Sequence, residues 1–112
     1  MALLAIDIGT LSARAGLLAA DGELLSVGIA PFPLLRPAED QAAYRLDDIW
    51  DAMGQAVRGC LGPHAPDVQA VAIDATSSVA LSHPGAPPLA GGADVLCWMD
   101  HRAEAEADEI AA

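Results

Sequence analysis

The chain contains no lysine. Its positive charge comes from five arginines, set against sixteen acidic residues, for a formal net charge of −11 over 112 residues. That balance excludes the usual nucleic-acid binders, whose phosphate contacts need clustered Lys and Arg. It also argues against docking on an anionic membrane. A nucleotide is not excluded, because phosphate can be held by backbone N–H groups and Mg²⁺. Long hydrophobic runs are absent too: although 54% of the residues are hydrophobic, no run reaches the roughly 18 residues of a membrane helix. The apolar start Met1–Ile6 lacks a basic flank and meets Asp7 at once, so no signal peptide is expected. Cysteine is scarce. Cys60 and Cys97 form no disulfide framework and are expected to be reduced, mostly buried thiols in a cytoplasmic protein. His64, His83 and His101 show no metal-ligand spacing. No internal repeat is present, and the length allows one domain at most, near the small end of what can bury a core.

What is present is a series of short apolar runs separated by turn residues. Leu3–Ile8 is a predicted buried strand, followed by a Gly9-Thr10 turn and a second strand, Ala13–Ala20. Asp21-Gly22 is a two-residue hairpin signal leading to a third strand, Glu23–Ala30. Residues Pro31 to Ala43 form a loop with three prolines. A helix follows, capped by Asp47 or Asp48, with Ile49, Trp50, Met53, Val57 and Leu61 on its apolar face and Gly62-Pro63 at its end. Val68–Ile73 is a predicted buried strand, Val79–Ser82 and Val95–Trp98 are shorter ones, and His83–Gly92 is a loop. Asp100 can cap a closing helix that runs to Ala112. A meander followed by αβ units implies a mixed sheet flanked by helices, in the α/β class.

Three clusters carry chemistry. The first is Asp7-Ile8-Gly9-Thr10-Leu11-Ser12-Ala13-Arg14. Gly9 permits a tight turn and a close approach of backbone N–H groups to a ligand. Thr10 and Ser12 add hydroxyl donors, and Arg14 adds a forked cation suited to phosphate oxygens. Asp7, at a strand end, can hold Mg²⁺ directly or through water. These parts suit the positioning and charge neutralisation of phosphoryl transfer. A D-x-G-T turn also occurs in hairpins that bind nothing. The second cluster, Asp74–Ser78, follows a strand and can hydrogen-bond a polyol, or can simply stabilise a turn. The third is Trp98, Asp100 and Arg102, where a strand runs into a helix. Trp98 offers a flat face to sugar C–H groups, and Asp100 and Arg102 offer an acceptor and donors. The plainer alternative places Trp98 in the core, Asp100 as an N-cap and Arg102 in a surface ion pair.

The pattern DIGTLSARAGLLAADG resembles the phosphate-binding first hairpin of the FGGY carbohydrate kinases. AIDATSSVAL and VLCWMDHRAEAEADEI are similar to the matching segments of their pentulose-kinase branch, the string W-M-D-H-R-A being similar to that of members acting on ribulose and related sugars. The resemblance spans almost the whole chain. It implies the ribonuclease-H-like fold of the actin, Hsp70 and sugar kinase superfamily, with residues 1–112 as an incomplete N-terminal domain whose partner domain is absent. It implies ATP and Mg²⁺ as cofactors. Asp7 would serve the metal, and Gly9, Thr10, Ser12 and Arg14 the ATP phosphates. Thr76, Ser77, Trp98, Asp100 and Arg102 would border a sugar. The general-base aspartate is expected beyond residue 112, so the chain alone is expected to be inactive, and a homodimer is an option for the intact protein. The segment Thr76–Val79 lacks the Cys that ribulokinase-like members commonly carry there, which leaves the sugar open. Two alternatives remain: another sugar kinase of the same superfamily, such as a glucokinase-like or N-acetylhexosamine kinase, which also opens with D-x-G-T, and a non-catalytic remnant that binds sugar or a partner weakly.

Overall fold

The computed structural model describes residues 1–62, 67–82, 84–85 and 92–112. Along the chain these form β1 (Ala2–Ile8), β2 (Ser12–Ala19), β3 (Leu24–Pro31), β4 (Ala43–Tyr44), α1 (Leu46–Leu61), β5 (Val68–Ala75), β6 (Val79–Ala80), β7 (Val95–Leu96) and α2 (Glu104–Ala111). They fall into two compact units, Met1–Pro33 with Asp47–Thr76, and Leu34–Leu46 with Ser77–Ala112.

The first unit is a four-stranded sheet in the order β3-β2-β1-β5. The β1–β2 and β2–β3 pairs are antiparallel, and β5 joins β1 in parallel. Such a parallel return needs a crossover, and the α1 helix lies within it. Strand alternation sorts the side chains. Leu4 and Ile6 lie opposite Leu17 and Ala15 and are buried with them. Leu3, Ala5 and Asp7 share the other face of β1.

The helix meets the sheet at β3 through small residues. A Cβ on Gly28 would stand 1.9 Å from the Ala56 carbonyl oxygen. The Ser26 hydroxyl donates to the Cys60 carbonyl. This close approach explains why the buried stripe of α1 is Ala52, Ala56 and Cys60 rather than the larger apolar set expected from spacing. Trp50 is 68% exposed, a correction to its assignment to the apolar face. The helix also starts earlier than expected, at Leu46. Leu46 N–H donates to the Asp94 carboxylate at 3.1 Å, so Asp47 and Asp48 sit inside the first turn, where they complement the helix dipole, rather than serving as caps.

Three further expectations change. The hairpin between β2 and β3 spans four residues, Ala20 to Glu23, closed by Ala19 N–H to the Glu23 carbonyl and by Glu23 N–H to the Asp21 carboxylate. The β5 strand is not buried: Val71 and Ile73 are 57% and 65% exposed, because β5 is the edge of the described sheet. Finally, α2 begins at Glu104 after Ala103, without a side-chain cap, so Asp100 is not its N-cap. The expected loop His83–Gly92 lies mostly outside the described residues, as do His64 and His83.

The second unit is built differently. Its sheet, β4-β7-β6, has strands of two residues each, paired antiparallel. Leu35 and Ala43 form an isolated bridge beside it. Tyr44 is its fully buried large side chain, and its hydroxyl shares a hydrogen bond of 3.2 Å with the Cys97 thiol. Burial, reinforced by that thiol, pushes the Tyr44 phenol above its usual range. Both cysteines are free and buried, as expected. No described helix is long and apolar enough to cross a membrane.

Candidate active site

In the first unit the expected phosphate loop is the turn between β1 and β2. Gly9 N–H donates to the Ser12 carbonyl at 2.9 Å, closing it. A Cβ on Gly9 would lie 3.2 Å from that oxygen and 3.3 Å from an Arg14 terminal nitrogen, so a side chain would crowd both the turn and the cation. Asp7 and Arg14 are directly opposed across β1 and β2, and their side chains form an ion pair of 2.5 Å with each about half exposed. Exposed pairs of this kind add little stability. The arrangement holds an acid and a base at the mouth of the hairpin, where both remain accessible.

Register gives Asp74, which the sequence places in the polyol cluster Asp74–Ser78, a neighbour that the sequence did not indicate. Asp74 lies beside Asp7 on the parallel neighbour β5 and shares its face. With Arg14, Val27 and Ile73 they line an open cleft of about 360 Å³. The signal was available in the sequence, since Asp7 and Asp74 each stand one residue before the end of a short apolar strand. Only the parallel pairing makes them neighbours. Thr76, next along, extends the ladder by donating its N–H to the Ile8 carbonyl at 3.0 Å.

For the metal assigned to Asp7, the donor chemistry fits. A half-exposed carboxylate beside a turn suits Mg²⁺, which binds through one or two carboxylates plus phosphate oxygens and water. Among the described residues no group of three or more His, Cys, Asp or Glu gathers as a metal cage.

The second unit brings Trp98, Asp100 and Arg102 together after β7. Trp98 lies in a turn and is 57% exposed, so it is not a core residue. Asp100 is 4% exposed at its side chain and binds Arg102 through both oxygens. The Arg102 hydrogen bonds, helped by the N–H groups of Ala42 and Arg102, hold the Asp100 carboxyl well below the usual carboxylate range against the opposing effect of burial. The same pair, with Asp40 nearby, raises the Arg102 guanidinium further. Ser77 is exposed at the start of the unit's second segment.

Comparison with known proteins places these features in a family context. The profile of the FGGY family of carbohydrate kinases, N-terminal domain, matches residues 2–112. The chain is 34% identical to an FGGY carbohydrate kinase domain-containing protein of Danio rerio over 96% of its own length and 21% of that protein's. It is 31% identical to a D-ribulokinase of Saccharomyces cerevisiae over 94% of its own length and 16% of that protein's. Among solved structures, xylulose kinase from Rhodospirillum rubrum superposes with a TM-score of 0.82 at 20% identity, covering 99% of this chain and 23% of that one. The chain thus spans about a fifth of the length of these relatives, and it shares the fold of the solved sugar kinases.

Proposed function

Because this chain belongs to the FGGY family of carbohydrate kinases, we propose that it forms the first part of an ATP-dependent enzyme that phosphorylates a hydroxyl of a pentulose or related polyol. The observation that carries this reading is the accessible pairing of Asp7 with Arg14 beside the crowded Gly9 turn. In the proposed mechanism Arg14 exchanges its contact with Asp7 for phosphate oxygens. The turn that Gly9 closes, with the hydroxyls of Thr10 and Ser12, holds the same group in place. Asp7 would hold Mg²⁺. When bound, Mg²⁺ supplies charge neutralisation on the transferring phosphate. Thr76, Ser77, Trp98 and Arg102 are assigned to the sugar, with the exposed Trp98 as an apolar platform and Asp100 behind Arg102 as its partner. The proton of the sugar hydroxyl passes to an aspartate outside residues 1–112, so the isolated chain is catalytically silent. Cytoplasmic location belongs to the same proposal. The likeness to a D-ribulokinase favours a ketopentose over other acceptors.

The test is ADP release by the full-length protein with MgATP and a panel of ketopentoses, aldoses and polyols. Turnover of a pentulose or polyol is expected. Turnover confined to aldohexoses or amino sugars, or none at all, overturns the proposal. Turnover by the 112-residue chain alone overturns the incomplete-domain part of it.

A further inference from the structure

The Asp100 carboxylate is fully occupied within the protein. Its Oδ2 accepts the Ala42 N–H at 2.8 Å and an Arg102 terminal N–H at 2.8 Å. Its Oδ1 accepts the Arg102 backbone N–H at 3.1 Å and Arg102 Nε–H at 2.8 Å. Four hydrogen bonds use up the roughly four acceptor sites of a carboxylate. With its side chain 4% exposed, Asp100 has neither surface nor lone pairs left for a sugar hydroxyl.

Its neighbours explain why the sequence puts an acid here. The β4–β7 ladder pairs Tyr44 with Val95 and Ala43 with Leu96, and Cys97 N–H continues it by donating to the Ala42 carbonyl. At Trp98 and Met99 the backbone turns away, which would leave Ala42 N–H without a strand partner. The Asp100 side chain takes that place. From the same position it grips Arg102 along one edge, through Nε and one terminal nitrogen. A guanidinium carries five N–H donors, so three remain on its outer edge. The Arg102 side chain is 32% exposed, and it lies four residues along from the exposed Trp98.

We infer that Asp100 is a positioning residue: it ties the Ala42 strand end to the Trp98–Arg102 turn and aims the Arg102 guanidinium, and Arg102, not Asp100, meets the sugar. The inference rests on the sugar-kinase reading and assigns the recognising donor within it. A bidentate pair fixes direction as well as distance, so the outer donors of Arg102 are presented in one orientation before a polyol arrives.

The experiment is steady-state kinetics on the full-length enzyme with its best sugar, comparing D100N, R102A and the double variant. Asn keeps a carbonyl oxygen for Ala42 N–H but turns an amide against the guanidinium edge. D100N is expected to raise the sugar KM about tenfold, the scale of one lost charge-assisted contact, a larger change than in the ATP KM or in kcat. R102A is expected to do the same, and the double variant to be no worse than R102A, because the two act as a unit. An unchanged sugar KM in D100N, or additive losses in the double variant, overturns the inference. If D100N fails to fold, R102A decides alone, since an unchanged sugar KM there removes the residue through which Asp100 is said to act. Absence of turnover in the unaltered enzyme sinks the kinase reading itself, whereas additive losses in an active enzyme sink only the role of Asp100.

Discussion

The two units of this chain solve the same problem by different means. The first has strands of seven or eight residues in a continuous ladder, with α1 packed on one face. Its regular backbone satisfies itself, so the polar side chains at its hairpin mouth are half exposed and available. The second has strands of two residues, too short to satisfy the backbone around them. Side chains complete it: Asp94 takes Leu46 N–H, Asp100 takes Ala42 N–H, and Tyr44 meets Cys97. Asp7 at the hairpin mouth of the first unit is therefore accessible to a ligand, whereas Asp94 and Asp100 in the second are committed to structure. Residue type alone does not separate the two uses.

The sharpest way to break this contrast is Asp7→Ala in the full-length enzyme. Loss of a charge-organising group at the phosphate is expected to lower kcat by about 10²–10³-fold, with the sugar KM little changed. The melting temperature should barely move, since the Asp7–Arg14 pair is exposed. A large loss of stability with retained kcat would make Asp7 structural, like Asp100. Next in size is Gly28→Ala, which forces a methyl into the Ala56 carbonyl. It is expected to destabilise the fold by about 3 kcal/mol, read by chemical denaturation, and a neutral result would remove the close strand–helix contact from the account.

Smaller effects belong to the second unit. Tyr44→Phe removes the buried hydroxyl bonded to Cys97 and is expected to cost about 1 kcal/mol, again by denaturation. The smallest is a pH effect. The Asp100 carboxyl is held below its ordinary range by Arg102. Between the usual unfolded value of about 4 and that lower folded value, the unfolded chain binds more protons. The contribution of Asp100 is thus full above about pH 4 and is lost as pH falls toward the folded value. Thermal melts from about pH 5 to pH 2 should show an acid limb that is shallower in D100N, and identical limbs would argue against the depressed carboxyl.

Much of the first unit was legible as sequence. Apolar runs of strand length with turn residues between them set β1, β2 and β3, and the Asp7–Arg14 motif marked the turn between β1 and β2. The helix was legible in position but not in packing. Spacing assigned Trp50 to its apolar face, but the buried stripe is made of Ala52, Ala56 and Cys60 because Gly28 lets the backbones approach. No local pattern announces which face meets a glycine on a distant strand.

What the sequence determined by itself was local: which segments extend, which coil, and where an acid, a glycine turn and an arginine recur at hairpin spacing. These follow from propensities and periodicities that act over a few residues. The tertiary structure alone decided that Asp74 stands beside Asp7 and that Asp100 serves Ala42 and Arg102 instead of a helix cap. Both depend on backbone groups brought together from positions far apart in the chain, and a buried N–H takes whichever acceptor the fold carries to it.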